Sequence, residues 1–379
     1  MDKNELRAWL RLSMTDGVGN DAARRLLACF GSPEAVFEQT EAALRQVVTP
    51  KQAQALLSPP NELAVQCVRT HQWLQEQPRG YEHALWTLGD ASYPHELLLL
   101  PDPPLMLYVQ GQTQATLGHA VSIVGSRNPT PQGTQTAEQF GEALSTAGLC
   151  VVSGLALGVD GAAHLGALRG GDARPASKHA DHWHTVGVVG TGLDRVYPRQ
   201  HQALAHDISQ RGVLISEYLL GTPPLGPNFP KRNRLIAALG LGTLVVEAAL
   251  QSGSLITARL ALDLGREVLA IPGSIHATQS HGCHALIRQG AKLVETAHDV
   301  MEELQLAPLQ QTSLFTSQAT NAPDDPLLMQ MGYGPVSLDA LQARSGLDTA
   351  QLQAQLLNLE LDGCVGRLPG GLFQRLAHA

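Results

Sequence analysis

The chain has 379 residues and a formal net charge of −8, from 26 Lys and Arg against 34 Asp and Glu. This balance excludes a wholesale polycation such as a histone-like protein, but not a local basic site, because steering depends on where charge lies. The length allows two or three domains with a sizeable core. The five cysteines are odd in number and form no C-x-x-C pair, which predicts reduced thiols in the cytoplasm rather than disulfides or a zinc site.

Residues 1–80 are predicted to form a helical domain of the SAM or helix-hairpin-helix type. "NELRAWLRLSM" has helical spacing, and "DAARRLLACFG" follows it. Between them lies "DGVGND", whose Gly17 and Gly19 suggest a helix-hairpin-helix turn that offers backbone N–H groups to a nucleic-acid phosphate. An ordinary helix-capping turn is the alternative. Further along, prolines interrupt the apolar stretch "LLLLPDPPLMLYV", so no membrane span is predicted.

Residues 81–304 are predicted to alternate short apolar strands with helices. The strands are predicted at 120–125, 149–154, 185–190, 213–217, 242–248, 267–273 and 291–296. Such alternation predicts an α/β fold with a parallel sheet covered on both faces. In sheets of this kind ligands bind at the carboxyl ends of the strands.

Two polar stretches and a small unit complete the predicted organisation. Residues 170–184 hold His179, His182 and His184, where a solvated loop is favoured over a metal cluster. Residues 305–325 are predicted to be a linker. In 326–379, three helices and two strands around "PGG" predict a winged helix. Its longer helix, 348–362, carries no Lys or Arg and three acids, which favours a protein contact or a structural role over duplex DNA.

Glycine-containing turns follow several of the predicted strands. Glycine lets the backbone approach a ligand closely, and helix starts supply free N–H groups, so these turns predict an oxyanion-binding site. The candidate residues at these turns are Gly125, Ser126, Arg127, Ser153, Gly154, Ser252, Gly253 and Ser254.

Three enzyme classes lack their signatures in this sequence. The first turn, "GSRNPTPQG", has no G-x-G-x-x-G, and no acid closes "LCVVSG", where a dinucleotide fold places its ribose ligand. No Walker A sequence is present, and "QSGSL" does not supply the G-x-S-x-G elbow of a serine hydrolase. We therefore expect neither a nicotinamide enzyme, nor ATP binding through a P-loop, nor Ser-His-Asp catalysis.

The segment "NFPKRNRLIAALG" places three cations, Lys231, Arg232 and Arg234, at the start of a predicted helix. Unpaired N–H groups already make that end of a helix positive, so acids are normally preferred there. A bound polyanion would turn the repulsion into attraction. We expect Lys231 and Arg232, together with Arg127, to surround phosphates, and Phe229 to stack a base or pack beneath the backbone.

An internal ion pair is the alternative role for Arg232 or Arg234, with Glu217 or Glu247 as the partner. It is favoured more for Arg234, which faces the apolar side of the helix. Aromatic residues make up only 4% of the chain. A single-strand binder built on stacked platforms would have more, so we expect backbone recognition with little sequence preference.

Several motifs, in order through about 180 residues, resemble the DprA family, also called Smf. They include "SIVGSRNPTPQG", "VVSGLALGVDGAAHLGAL", "GVVGTGLDRVYPRQ", "NFPKRNRLIAALG" and "LVVEAALQSGSLITARLALDLGREVLAIPGS". The resemblance implies an extended Rossmann-like domain that binds single-stranded DNA as a homodimer. It further implies a role in natural transformation and recombination, in which RecA is loaded onto incoming strands and inhibition by single-strand-binding protein is relieved.

The resemblance also assigns site residues. By motif position, the family's phosphate contacts fall on Arg127, Lys231 and Arg232, with Asn233 beside them. The same pocket is implied to be lined by Gly125, Ser126, Ser153, Gly154 and Phe229.

Two other functions remain open from the sequence. The first is a nucleotide-hydrolysing phosphoribohydrolase, because Glu247 and "SGSLITA" are placed somewhat like that motif, although P-G-G-x-G-T-x-x-E is missing. The second is an adaptor that touches only proteins. For the DNA-binding hypothesis we expect no catalytic residue, no cofactor, no metal and no membrane association.

Overall fold

The computed structural model describes residues 1–76, 78–174, 182–306, 325–332, 334–368 and 370–376. Residues 1–76 contain six helices, in the region that is predicted to be helical. Their bounds are α1 Lys3–Met14, α2 Asn20–Phe30, α3 Pro33–Phe37, α4 Glu41–Leu44, α5 Pro50–Leu57 and α6 Leu63–Gln75. Side-chain caps fix several starts: Asp2 accepts from the first amides of α1, and Thr49 forms a capping box with Gln52 at α5.

The turn between α1 and α2 contacts other parts of the protein, although Gly17 and Gly19 themselves are exposed. Gly17 has a φ of +71°, and its carbonyl accepts a hydrogen bond from Gln52 Nε2 at 2.8 Å. Just after the turn, Asn20 Nδ2 donates to the Asp102 carbonyl and Arg24 Nη1 to the Pro101 carbonyl. These contacts dock the helical segment onto the loop before β2 and favour the structural interpretation of the turn.

A nine-stranded sheet forms the centre of the molecule, in the order β1-β2-β6-β5-β4-β3-β7-β8-β9. The strands from β3 to β9 run parallel, and β2 pairs antiparallel with β1 and β6. The strand bounds are β1 Glu82–Thr87, β2 Met106–Gly111, β3 Ala120–Val124, β4 Cys150–Ser153, β5 Thr185–Val188, β6 Val213–Ser216, β7 Gly242–Val245, β8 Glu267–Ala270 and β9 Lys292–Leu293. The predicted parallel sheet is thus confirmed, and two antiparallel strands extend it.

Helices cover both faces of this sheet, and alternating strand residues reach both cores. The helices are α7 Pro131–Thr146, α8 Val159–Asp172, α9 Gln202–Arg211, α10 Asn228–Leu239, α11 Ser254–Asp263, α12 His281–Arg288 and α13 Ala297–Glu303. On β3, Ile123 belongs to the core shared with α7 and α8, whereas Val124 belongs to the core shared with α10 and α11. Helix α10 contacts β3, β4 and β5, so its first turn reaches the carboxyl ends of the parallel strands.

Helices α7 and α8 pack with their backbones in contact, which fixes the start of α8 near the end of β4. A Cβ atom on Gly166 would lie 1.9 Å from the Glu138 carbonyl oxygen, and one on Gly170 would lie 2.1 Å from that of Glu142. Glycine is therefore required on this face of α8 for steric reasons.

We expect Gly166→Ala to destabilise the protein by about 2 kcal/mol, because the added methyl group overpacks a backbone contact that cannot yield locally. Differential scanning calorimetry of the two proteins measures the change. Gly334→Ala is the control, since a Cβ there meets nothing within 4 Å. Equal unfolding temperatures for Gly166→Ala and the unmodified protein would contradict the packing argument.

The last part of the chain forms a small separate core, and its arrangement is that of a winged helix, as predicted. Its elements are α14 Pro326–Met331, β10 Val336–Ser337, α15 Leu338–Ser345, α16 Thr349–Leu361, β11 Val365–Leu368 and β12 Leu372–Arg375, with strand order β10-β12-β11. The predicted linker lies almost wholly outside the described residues. The domain bounds given above remain a prediction.

The histidine-containing stretch is described only in part, because His179 lies outside the described residues. Nδ1 of His182 lies 2.9 Å from the Thr116 hydroxyl, and Nδ1 of His184 lies 3.8 Å from Asp172 Oδ1. Among the residues that the structure describes, no group of His, Cys, Asp and Glu could hold a metal ion. None of the described helices is both long and apolar enough to cross a bilayer.

Candidate nucleic-acid interface

A cleft opens where the carboxyl ends of β4 and β5 meet the first turns of α10. Four of the predicted site residues lie together in it: Arg127, Gly154, Phe229 and Arg232. The complete lining is Arg127, Gly154, Ala156, Leu157, Val189, Gly190, Thr191, Tyr197, Pro198, Phe229 and Arg232. The cleft therefore combines two arginines with two aromatic rings.

Arg127 lies at the exposed rim of this cleft. Its guanidinium carbon is 5.6 Å from the centroid of the Phe229 ring, and that ring is 5.5 Å from the ring of Tyr197, tilted by 37°. This cation–aromatic arrangement suits a nucleotide, because it offers charge to a phosphate next to an apolar face for a base.

The turn that carries Arg127 is held by its neighbours. The Ser126 amide donates to the Glu247 carbonyl at 2.7 Å, and the Val159 amide of α8 donates to the Ser126 carbonyl at 3.1 Å. A Cβ on Gly125 would lie 2.7 Å from Val159, and one on Gly158 would lie 2.4 Å from the Ser126 oxygen. Gly125 and Ser126 thus position Arg127 through backbone packing rather than through an open, ligand-facing surface.

Arg232 forms the floor of the cleft and is only 3% exposed. Its Nη1 donates to the Gly154 carbonyl at 2.7 Å and also to the Val188 carbonyl, which ties the ends of β4 and β5 together. Burial lowers the pKa of Arg232 to about 10, against the opposite effect of Asp160, so the side chain remains charged at neutral pH. Burial in turn raises the pKa of Asp160, against the pull of Arg232.

The sequence predicts that both Lys231 and Arg232 surround phosphates. In the structure Lys231 reaches solvent, whereas Arg232 is buried and bonded to the strand ends. Gly154 must be glycine here, since a Cβ would lie 2.2 Å from Arg232 Nη1. The Nη1 of Arg232 serves the strand ends, whereas the buried Nε of the same side chain has no hydrogen-bond partner among the described residues.

Lys231 precedes Arg232 in α10 but is not among the residues that line the cleft, and its side chain is 54% exposed. Asn233, on the same helical turn, is half-buried. The Nζ of Lys231 is 3.9 Å from Glu217 Oε2 and 5.8 Å from the centroid of the Tyr218 ring. The amine is thus free to move toward a ligand at little cost. Arg234 instead follows the internal alternative: it pairs with Glu217 at 2.7 Å, not with Glu247.

Backbone amides contribute less to the candidate site than expected. At the start of α10, the Asn228 amide donates to the Leu225 carbonyl and the Phe229 amide to the Gly226 carbonyl, and Pro230 has no N–H. At the start of α11, the Leu255 amide donates to the Ser252 carbonyl. The expectation of free helix-start N–H groups is therefore wrong for these amides, because the preceding turns already satisfy them.

Besides Gly125, Ser126, Lys231 and Asn233, four more predicted site residues lie outside the cleft lining. Ser153 is fully buried, and its hydroxyl donates to the Ile123 carbonyl at 2.6 Å, which joins β4 to β3. Ser252, Gly253 and Ser254 follow β7, on the other side of β3, where the two serine hydroxyls lie 2.7 Å apart. Ser153 therefore has a structural role, and the serine turn lies apart from the arginines.

Sequence reasoning missed Thr191 and Tyr197 as lining residues. Thr191 is 1% exposed, and its hydroxyl has no hydrogen-bond partner among the described residues, although buried hydroxyls normally have one. Tyr197 is exposed and lies next to Phe229. Both belong to "GTGLDRVYP", a strand-end turn with one aromatic residue, so its position after β5 was the signal that pointed to them.

Glu247, the residue on which the enzyme alternative depends, is occupied by a structural contact. Its carboxylate accepts hydrogen bonds from the Thr130 amide at 2.9 Å and from the Thr130 hydroxyl at 2.6 Å, at the start of α7. Burial raises its pKa, and these hydrogen bonds act in the opposite direction. The carboxylate contacts the N-terminal end of α7, and Glu247 does not line the cleft.

Comparisons with known proteins agree with this architecture. The family model described as DNA recombination-mediator protein A matches residues 84–305, and the model described as DprA winged helix domain matches residues 312–371. Protein Smf of Escherichia coli K12 is 38% identical over 385 residues, which cover 98% of this chain and 96% of that protein. DNA processing protein DprA of Streptococcus pneumoniae R6 is 42% identical over 220 residues, which cover 58% of this chain and 74% of that protein.

Two solved structures are also similar. The X-ray structure of DprA from Streptococcus pneumoniae matches with a TM-score of 0.65 and 32% identity, over 80% of this chain and 98% of that one. DprA from Helicobacter pylori, whose structure is described as showing a unique single-stranded DNA binding mode, matches with a TM-score of 0.51 and 30% identity, over 58% and 95%. Because one family model spans the central sheet and the Escherichia coli relative aligns over nearly the whole chain, the protein belongs to the DprA (Smf) family.

Proposed function

We propose that this protein binds single-stranded DNA in the cleft between β4, β5 and α10, and that it processes DNA during natural transformation and recombination. The observation that carries the proposal is the cleft itself. Exposed Arg127 stands at its rim and two aromatic rings line its wall. Two of the lining residues, Arg232 and Thr191, each have a buried polar atom, Nε and Oγ1, that finds no partner in the described part of the chain. Such atoms are costly to bury unless a ligand or water pairs with them.

The chemistry of the cleft suits a single strand better than a duplex. Arg127 and nearby Lys231 offer charge-assisted hydrogen bonds to consecutive phosphates. Phe229 and Tyr197 offer apolar faces to a base, and stacking of this kind is worth about 1–3 kcal/mol per base without strong sequence preference. A base paired in a duplex could not reach these rings, so we expect preference for unpaired strands.

Family membership also supports a proposal about partners. We propose that the protein protects incoming single strands and loads RecA onto them in the cytoplasm, where it relieves inhibition by single-strand-binding protein, and that it acts as a homodimer. The single-stranded DNA binding mode described for the Helicobacter pylori relative and the DNA-processing names of the other relatives support this proposal.

A fluorescence anisotropy titration with a labelled oligothymidylate tests the binding proposal. We expect saturable binding that unlabelled single strands of any sequence displace, and that duplex of the same length displaces far less well. The observed affinity should fall as salt rises, because phosphate contacts release counterions. Absence of binding at low salt would favour the adaptor that touches only proteins.

We propose binding rather than catalysis, because Glu247 is held at the start of α7. Incubation of the protein with AMP and related nucleotides, followed by chromatography for free base, tests this. Release of free base by the unmodified protein, and not by Glu247→Gln, would overturn the proposal.

A further inference from the structure

Lys231 and Arg234 share one buried carboxylate, that of Glu217. Glu217 Oε2 lies 2.7 Å from Arg234 Nη2 and 3.9 Å from Lys231 Nζ. The side chains of Glu217 and Arg234 are 6% and 9% exposed, whereas that of Lys231 is 54% exposed. The carboxylate is therefore bound mainly to Arg234, and Lys231 is a looser and more solvated second partner.

Arg234 is held in place by a second carboxylate from the loop before β2. Its Nε donates to Asp102 Oδ2 at 3.1 Å, and its Nη2 also donates to the Asp102 carbonyl at 3.3 Å. The same carbonyl accepts from Asn20 of the helical segment. Arg234 therefore cannot swing away from Glu217 without breaking contacts on both sides.

The charges in this cluster decide how strongly Lys231 is retained. A buried carboxylate needs a cation close by, because desolvation makes an unpaired buried charge costly. With Arg234 in contact, that need is met, and the attraction of Glu217 for Lys231 is largely cancelled. Without Arg234, Lys231 would be the nearest remaining cation and would be drawn toward Glu217.

We propose that Arg234 is a positioning residue for single-stranded DNA binding: it neutralises Glu217 so that Lys231 stays available to a phosphate. Arg234 itself touches no ligand in this arrangement, since its Nε and Nη2 donate to Asp102 and Glu217 and its Nη1 is buried. The inference rests on the proposed function, because it presumes that Lys231 contacts the strand.

A set of charge variants tests this with the full chain and labelled oligothymidylate. We expect Arg234→Met to weaken binding about two- to fivefold, because the Lys231 amine is drawn toward Glu217 but not removed, and to lower the salt slope by less than the value of about 0.7 for one lost phosphate contact. Adding Glu217→Gln to Arg234→Met restores the unmodified net charge and should return affinity to within about twofold of the unmodified protein. In the Lys231→Ala background, Arg234→Met should have little further effect.

Two outcomes would overturn the inference. One is a folded Arg234→Met, Glu217→Gln double variant that binds as weakly as Arg234→Met. The other is an Arg234→Met effect of equal size with Lys231 present or absent, which would mean that Arg234 acts independently of Lys231.

If Arg234→Met does not fold, as judged by circular dichroism, the single variant Glu217→Gln tests the inference instead. It should tighten binding about twofold with Lys231 present, clearly more than in the Lys231→Ala background. Equal effects in both backgrounds would overturn the inference. Failure of the proposed function looks different: the unmodified protein would not bind the oligonucleotide, or folded Lys231→Ala would bind it unchanged, and the inference would fall with it.

Discussion

Combined replacement of Arg127 and Lys231 by alanine is expected to weaken single-strand binding by at least about a hundredfold at low salt, since each charge-assisted contact is worth about 1.5–3 kcal/mol. The loss should be similar for every base sequence, because phosphates carry no sequence information. The salt slope should fall by about 1.4, which is two phosphates at the single-strand value. Anisotropy titrations at several salt concentrations measure both quantities.

Arg169→Ala combined with Lys292→Ala is the matched control for this double variant. Both side chains are more than half exposed, and both pair with carboxylates. Arg169 lies in the last turn of α8, at the end opposite the cleft. The control should retain nearly full affinity. Equal losses of affinity in the two double variants would show that binding depends on the net charge of the protein rather than on contacts at a defined site.

A second large effect is expected on stability rather than on binding. Arg232→Met should destabilise the protein by about 3 kcal/mol or more, the usual result of removing one partner from a buried charged cluster. The change leaves the carbonyls of Gly154 and Val188 without their donor and deprives Asp160 of its nearby positive charge. Differential scanning calorimetry should show a drop of several degrees in the unfolding temperature.

Arg169→Met is the control for that measurement, because an exposed ion pair contributes about 0–1 kcal/mol. If Arg232→Met unfolds at the temperature of the unmodified protein and only loses DNA affinity, Arg232 is a ligand-facing residue and its structural role is wrong. A loss of both stability and affinity is what the buried position predicts.

The parallel core could be predicted because its strands are short apolar runs between amphipathic helices. All seven predicted parallel strands are present, with bounds that differ by a few residues. The antiparallel strands β1 and β2 were not predicted as strands. Prolines just before "LMLYV" obscured the start of β2, and neither strand is followed by a crossover helix of the kind that marks a parallel strand.

The candidate site could be predicted only as a set of residue types. The three cations at the start of α10 correctly indicated an unusual charge cluster, but a helix surface turns by about 100° per residue, so neighbours face different surroundings. Lys231 reaches solvent, Arg232 lies beneath the cleft and Arg234 enters an ion pair. Which of these three roles each cation takes depends on tertiary contacts with β4, β5 and Glu217, and no local sequence pattern encodes those contacts.

The role of the helix-start amides was overestimated for a related reason. A helix start implies four unpaired N–H groups only when the preceding turn leaves them unpaired. Here the turns at residues 225–227 and 252–253 supply carbonyls to those groups. The same dependence on tertiary packing hides Thr191, whose hydroxyl is notable only because it is buried and has no partner within the ranges that the structure describes.

A structure of the protein with a short oligothymidylate is the measurement that tests the central claim most directly. In that complex we expect a phosphate within hydrogen-bonding distance of Arg127, another within reach of Lys231, and a base against the Phe229 and Tyr197 rings. A strand bound elsewhere on the protein, with the cleft between β4, β5 and α10 empty, would contradict it.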